Sequence, residues 1–191
     1  MNQKKVIVAI IVLLAAVALP AADKRFAVSL TGNVLLPADS AFQDVYGKTV
    51  ILPELQVGTR LKGPLYAFAA LGLTSKTGTI PELGDEAKSD QQMGSLGVGV
   101  SLPLTGGLVF ACQAGGCYFH VKEEALGMEF SASRLGFRAD ALLTTRLGGG
   151  LYGGVQLGYR SAKGENDVDP ANKVSFTLGG FTAGVTLGLS F

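Results

Sequence analysis

The chain ends on residues 180–191, which read GFTAGVTLGLSF and alternate strictly between two kinds of side chain. Every odd position is apolar, whereas every even position is Gly, Thr or Ser. A period of two is the period of a β-strand, because successive side chains of a strand point to opposite faces of the sheet. The stretch therefore predicts a strand with one apolar face and one small or polar face, and this strand runs to the last residue.

Seven segments upstream show the same alternation. In residues 92–103, for example, Leu96 and Val98 share one parity and Gly97 has the other. The segment 107–121 is apolar on both parities and gives the weakest strand signal. The eight predicted strands are 25–36, 49–61, 65–76, 92–103, 107–121, 129–144, 149–161 and 180–191.

The composition suits strands that face a membrane. Hydrophobic residues make up 48% of the chain and Gly accounts for 27 positions. Beyond the N-terminal region, however, no run of about 18 apolar residues occurs, which excludes transmembrane helices. Alternating segments of about 10 residues separated by turns are typical of membrane barrels. We therefore predict an all-β fold, an eight-stranded antiparallel up-and-down transmembrane β-barrel.

The N-terminus predicts a cleaved signal peptide. Lys4 and Lys5 precede an uncharged apolar run that extends from residue 6 to residue 19, and small residues follow. This order is typical of a secretory signal, and the run is short for a membrane span. We expect cleavage somewhere in 18–22, and an uncleaved membrane anchor is the alternative. The predicted domains are a signal peptide, 1–22, and an outer-membrane barrel domain, 23–191.

The charge of the predicted mature chain is nearly balanced. Without Lys4 and Lys5, 14 basic side chains of the original 16 face 15 acidic ones. Nucleic-acid binding requires a basic patch or stripe. We therefore expect no nucleic-acid partner.

The predicted connections alternate in length, and this alternation predicts an orientation. Bacterial membrane barrels keep short turns in the periplasm and longer loops outside, with both termini periplasmic when the strand number is even. The tight connections are 62–64, 105–107 and 145–148, and the longer ones are 37–48, 77–91, 122–128 and 162–173. We expect the four longer connections to lie outside the cell and both termini to lie in the periplasm.

A soluble β-sandwich or lipocalin-type barrel is the alternative fold, because it also has short alternating strands. Such a fold would bury the apolar face. It would leave no reason for Glu54, Arg138 and Asp140 to lie opposite that face in the middle of strands. Parity alone, however, cannot decide which face is inside.

The pattern resembles that of the small outer-membrane barrel family that includes OmpX and the membrane domain of OmpA. The likeness covers residues 23–191, and its most specific part is the terminal VTLGLSF. It implies a location in the bacterial outer membrane, with lipid and lipopolysaccharide around the barrel and the barrel assembly machinery as a partner. The residues implied as the assembly signal are Val185, Leu187, Leu189 and Phe191.

Charged residues of the polar parity predict an ion-pair network inside the barrel. An eight-stranded barrel is just wide enough for its own side chains to fill it. We expect the network to centre on Glu54 and Arg138 and to link the second, sixth and seventh strands. The candidate lumen charges are Glu54, Arg60, Arg134, Arg138, Asp140 and Arg160.

The sequence contains few residues that could form a catalytic or metal-binding site. His120 is the single His, so a site of several His ligands is excluded. Ser131 and Ser133 are the nearby candidates for a nucleophile beside it, but the His-x-Ser spacing of outer-membrane lipid A deacylases is absent. We expect no catalytic residues, no metal and no cofactor.

Two cysteines, Cys112 and Cys117, lie five positions apart in the weakest segment. If the strand is continuous, they occupy opposite faces and cannot form a disulfide with each other. The alternative is a tight bend at Gly115 and Gly116, which would remove the predicted fifth strand.

We therefore predict a non-enzymatic structural protein of the outer membrane with a filled lumen. One alternative is an adhesin or surface-interaction protein that acts through loops 37–48 and 77–91. The other is a narrow channel for ions or small solutes, in which the lumen charges line the path.

Overall fold

A computed structural model describes residues 25–81, 83–166 and 174–191 of the chain. In it, eight strands form a closed antiparallel barrel in chain order, β1 through β8. The predicted eight-stranded up-and-down barrel is therefore confirmed. The predicted signal peptide, 1–22, lies outside the described residues.

The strands are 11 to 21 residues long. Their bounds are β1 Phe26–Pro37, β2 Val50–Arg60, β3 Leu65–Thr79, β4 Glu86–Pro103, β5 Leu108–Ala125, β6 Met128–Gly148, β7 Leu151–Asn166 and β8 Val174–Ser190. Helix α1, Ser40–Tyr46, lies between β1 and β2. No helix among the described residues is long and apolar enough to cross a membrane.

The hydrogen-bonded register gives the tilt of the strands. Starting from Phe137 on β6, the directly opposite residue on each next strand can be followed around the barrel to β8. Through β5, β4, β3, β2 and β1, these opposite residues are Gly116, Leu96, Ala69, Val57 and Val28, and the last one, on β8, is Leu189. In the other direction they lead from Phe137 through Ser161 to Gly179. Because Gly179 and Leu189 lie 10 residues apart on β8, the barrel has a stagger of 10. Such a stagger in eight strands tilts them by roughly 40° from the barrel axis.

The barrel is apolar on its outer wall and polar at mid-height inside. Leu135 is 80% exposed and Leu96 70%, whereas Arg160 is 0% and Glu54 2% exposed. A barrel that spans a membrane needs this distribution, because lipid contacts its outer wall. The alternative of a soluble β-sandwich or lipocalin-type barrel is therefore wrong, because such a fold would bury the apolar face that is exposed here.

The two ends of the barrel differ. The end that carries Phe26, Phe191 and the tight connections 61–64, 104–107 and 149–150 is called the turn end below. The opposite end, which carries α1 and the connections 80–85 and 126–127, is called the loop end. The connection 167–173 lies outside the described residues.

Two of the predicted long loops are mostly strand, which corrects the expected boundaries. Loop 77–91 shrinks to residues 80–85, and loop 122–128 shrinks to a turn at 126–127, because β3 to β6 continue beyond the apolar band. In this part the outer wall carries ion pairs. Lys88 pairs with Asp90 along β4 at 3.1 Å, and Lys122 of β5 pairs with Glu129 of β6 at 3.0 Å. A template that requires apolar outward residues misses strands whose outer wall faces water.

The interior reverses its polarity at the loop end as well. A buried apolar cluster fills the barrel there, with Phe42 of α1 and Phe176 packed against it. Its members are Leu35, Val50, Leu52, Met93, Cys117, Phe119, Val121, Ala162 and Leu178. The loop end is therefore organised like a water-soluble barrel, with an apolar interior and polar walls.

Candidate functional site

The centre of the lumen holds a two-pronged ion pair between Glu54 on β2 and Arg138 on β6. Arg138 donates from Nη2 to Glu54 Oε1 at 2.9 Å and from Nη1 to Glu54 Oε2 at 3.1 Å. Arg160 on β7 donates from Nη1 to Glu54 Oε2 at 2.8 Å. One carboxylate thus receives hydrogen bonds from two guanidinium groups and joins three strands.

Asp140 on β6 is the second anion of the lumen. Its Oδ2 lies 2.7 Å from Arg138 Nη2 and also accepts a hydrogen bond from Arg138 Nε at 2.8 Å. The amides of Gln113 and Gln156 donate to its two oxygens at 3.0 and 3.2 Å. Two anions and two cations therefore balance each other in a layer that water does not reach.

The structure brings together four of the six predicted lumen charges: Glu54, Arg138, Asp140 and Arg160. Arg60 lies at the turn end, where it is exposed. Arg134 lies at the loop end, half-buried, with its guanidinium carbon 5.7 Å from the centre of the Phe176 ring. The tilt of the strands explains why Arg60 and Arg134 lie apart from the other charges. In a staggered barrel, residues that are equally many positions from their turns do not lie at the same height along the barrel axis.

Residues that sequence reasoning missed complete the turn-side boundary of this layer. Gln113 donates to Gln56 Oε1 at 2.9 Å, and Tyr66 donates from its hydroxyl to Gln113 Oε1 at 3.0 Å. Gln113 was missed because its strand is apolar on both parities. Tyr66 inclines into the lumen, where its ring covers Gly99 at a distance that leaves no room for a Cβ.

Layers on both sides of the ion pairs exclude water. On the loop side, Leu52 and Phe119 are 0% exposed and Met93 is 1% exposed. The Arg138 guanidinium carbon lies 5.3 Å from the centre of the Phe68 ring, a cation–π distance. The described lumen is thus filled by its own side chains at mid-height.

At the loop end, Glu123 of β5 carries a half-buried carboxyl group whose charge acts on Tyr46 of α1. Burial raises the pKa of Glu123 above its usual range, and the nearby charge of Asp39 raises it further, against a hydrogen bond from Ser89. Burial and the charge of Glu123 raise the pKa of Tyr46 on α1 to about 12. A Glu123 carboxylate therefore forms at the expense of local stability.

The two cysteines occupy opposite faces of a continuous β5, as expected for unpaired thiols. Cys112 is exposed on the outer wall and Cys117 is buried in the lumen, and both are free. The alternative prediction of a tight bend at Gly115 and Gly116 is wrong, because both residues lie within β5.

His120 lies on the outer wall near the loop end, opposite Ser133 of β6. Its Nδ1 is 2.9 Å from Ser133 Oγ, which also accepts a hydrogen bond from the Tyr118 hydroxyl at 2.9 Å. Ser131 faces Lys122 rather than His120. The β5–β6 ladder pairs one edge of β6 around Ser133, whereas the β6–β7 ladder begins only at Phe137.

Within the described ranges, no group of three or more His, Cys, Asp or Glu side chains could hold a metal ion. The closed, staggered barrel, its apolar outer wall and its balanced lumen charges define a class: small eight-stranded outer-membrane β-barrels.

Solved structures of that class resemble this chain. Neisserial surface protein A has a TM-score of 0.65 at 9% identity, over 87% of this chain and 97% of that one. OprG from Pseudomonas aeruginosa has a TM-score of 0.65 at 12% identity, over 87% and 96%. Ail, the attachment invasion locus protein of Yersinia pestis, has a TM-score of 0.50 at 11% identity, over 87% and 95%. No protein-family model and no curated protein matches the chain.

Proposed function

We propose that this protein is a non-enzymatic structural barrel of the bacterial outer membrane, with its loop end outside the cell and both termini in the periplasm. The filled lumen carries this proposal. Glu54, Arg138 and Arg160 are 2%, 1% and 0% exposed, and the apolar layer covers them on the loop side. A solute path would have to break both layers.

Conductance of the refolded protein in planar bilayers tests the proposal. Heat-modifiable gel mobility of the same sample establishes that the barrel is folded, and a wide porin shows that the assay detects a pore. We expect a folded band without stepwise conductance. Stable unitary steps from the folded sample would instead establish the narrow channel.

The outer wall supports contact with lipid and lipopolysaccharide, since its exposed apolar residues would otherwise face water. Recognition by the barrel assembly machinery through Val185, Leu187, Leu189 and Phe191 belongs to the same proposal. Three of these residues, Val185, Leu187 and Leu189, are exposed on the outer wall, where a partner can reach them before lipid does.

Surface attachment is the second candidate. The extended strands form a polar platform at the loop end, and α1 is fixed on it. One structural neighbour, Ail, is named as an attachment invasion locus protein. A cell-binding assay with residues 38–49 and 80–85 replaced by short Gly-Ser turns tests this role. Loss of binding by a variant that still folds supports it, and unchanged binding rules out these two connections.

A further inference from the structure

A pocket opens into the turn end of the lumen. Its volume is about 230 Å³, which corresponds to roughly seven or eight water volumes. All eight strands contribute lining residues, among them Ser29, Tyr66, Ser101 and Tyr152. The pocket is therefore part of the barrel interior rather than a groove between the barrel and its surroundings.

The pocket is strongly basic. Arg60 on β2 and Arg146 on β6 line it from strands that lie on opposite sides of the barrel, and Arg25 also contributes. No Asp or Glu is among its lining residues. Within 25–81, 83–166 and 174–191, neither Arg60 nor Arg146 lies in a salt bridge.

The carboxylates of the central layer do not neutralise this pocket. Asp140 already accepts hydrogen bonds from Arg138, Gln113 and Gln156. The reciprocal hydrogen bonds between Gln56 and Gln113, at 2.9 and 3.2 Å, separate the pocket from the ion pairs. The pocket thus opens only toward the turn end and has a floor of amide and hydroxyl groups.

We propose that this pocket binds a small solute that carries a phosphate group. Guanidinium groups bind phosphate oxygens through paired N–H donors. Two of them on opposite walls suit a dianion better than a carboxylate, which one arginine can satisfy. The hydroxyl groups of Ser101 and Tyr152, which line the same pocket, supply further donors. The barrel wall separates the site from lipid, so the ligand enters from the solvent at the turn end.

Titration of the refolded full chain with inorganic phosphate, in uncharged maltoside micelles at constant ionic strength, tests the proposal. Backbone amide NMR shifts report the binding. We expect saturable shifts of pocket residues and none at α1. The double substitution Arg60→Gln/Arg146→Gln should weaken binding at least tenfold, whereas Arg60→Lys/Arg146→Lys should retain part of it.

The matched control is Lys62→Gln, which removes one positive charge from a turn at the same end but outside the pocket lining. Phosphate shifts that do not saturate at tens of millimolar, or that Lys62→Gln weakens as much as the double substitution, overturn the proposal. Nanodiscs with and without phosphatidylglycerol form a second arm. If the lipid displaces phosphate, the headgroup is the ligand and the proposed soluble source is wrong.

Discussion

Glu54 is the residue on which the interior depends most, because its carboxylate holds Arg138 and Arg160 together. The substitution Glu54→Gln leaves both guanidinium groups without their shared anion in a layer that water does not reach. Loss of one partner of a buried ion pair costs about 3–5 kcal/mol. We expect a loss of this size in the free energy of unfolding, measured by denaturant titration in detergent.

Glu129→Gln is the matched control for that experiment. Its carboxylate pairs with Lys122 at 3.0 Å on the outer wall, where the two side chains are 60% and 38% exposed. Exposed ion pairs contribute little to stability, so we expect almost no change. Equal behaviour of the two variants would mean that the Glu54 network does not stabilise the barrel.

Glu123 makes the loop end sensitive to pH. Its pKa in the folded protein lies above the ordinary value of 4.5 because of burial. The folded state therefore binds this proton more tightly, and local stability falls as the pH rises from the ordinary pKa through the raised one. We expect Glu123→Gln to slow hydrogen exchange of α1 at pH 7, and the difference from the wild type to vanish below the ordinary pKa.

The neighbouring carboxyl, Glu124, provides the comparison. It is exposed on the outer wall and accepts a hydrogen bond from Lys122 at 2.9 Å. The substitution Glu124→Gln should leave exchange of α1 unchanged across the same pH range. If Glu124→Gln and Glu123→Gln had the same effect, burial of Glu123 would not be the cause.

Helix α1 is the element that closes the loop end, and Asp39 fixes it. The Asp39 side chain accepts from the backbone N–H of Phe42 at 3.1 Å, as an N-cap does, and from Thr177 of β8 at 3.0 Å. Replacement of an N-cap residue by Ala costs about 1 kcal/mol. Asp39→Ala should therefore speed proteolysis within residues 38–49.

Asp44→Ala is the control on the same helix, since Asp44 is exposed and is not the cap. It should leave the cleavage rate close to that of the wild type. Faster cleavage in both variants would indicate that charge, rather than capping, holds α1.

The strands β1 and β8 close the whole molecule, and Phe191 extends their seam by one residue. Its N–H and carbonyl each form a hydrogen bond with Phe26 at 2.9 Å, and the two rings stack with centroids 6.4 Å apart. Phe191→Ala keeps the backbone bonds. We expect normal refolding into lipid vesicles but less assembled barrel in cells, measured by heat-modifiable mobility.

Leu157→Ala controls for the loss of apolar outer surface, because Leu157 is 62% exposed on β7 and lies far from the terminus in sequence. It should assemble normally in cells. A Phe191→Ala variant that refolds equally poorly in vesicles and in cells would show that the ring serves barrel closure and is not read by the assembly machinery.

Much of the fold was predictable because alternation is a local property of the chain. Residues 180–191 and seven similar segments indicated the strand number and two of the three tight turns directly. The turn predicted at 145–148 is wrong, because β6 continues to Gly148 and the turn lies at 149–150. The ends of the strands at the loop end were not predictable. There the interior of the barrel becomes apolar and the outer wall becomes polar, which is the reverse of the pattern at mid-height. The prediction relied on apolar outward-facing residues, and the first part of β4, residues 86–91, has none, so the strand was predicted to begin only at residue 92.

The network was predictable only in part. Parity by itself placed Glu54, Arg138, Asp140 and Arg160 on one face of their strands. The stagger of 10 then decided which of these charges meet, and it separated Arg60 and Arg134 from them by height.

The sequence by itself determined that the chain forms eight strands with two chemically different faces, because an alternation with a period of two depends only on residues that are close together in the chain. Only the tertiary structure decided which face lies inside, how far the strands are offset and which charges pair. Closure of the barrel is the physical reason: it relates residues such as Glu54 and Arg138, 84 positions apart, whose distance depends on the tilt of every strand between them.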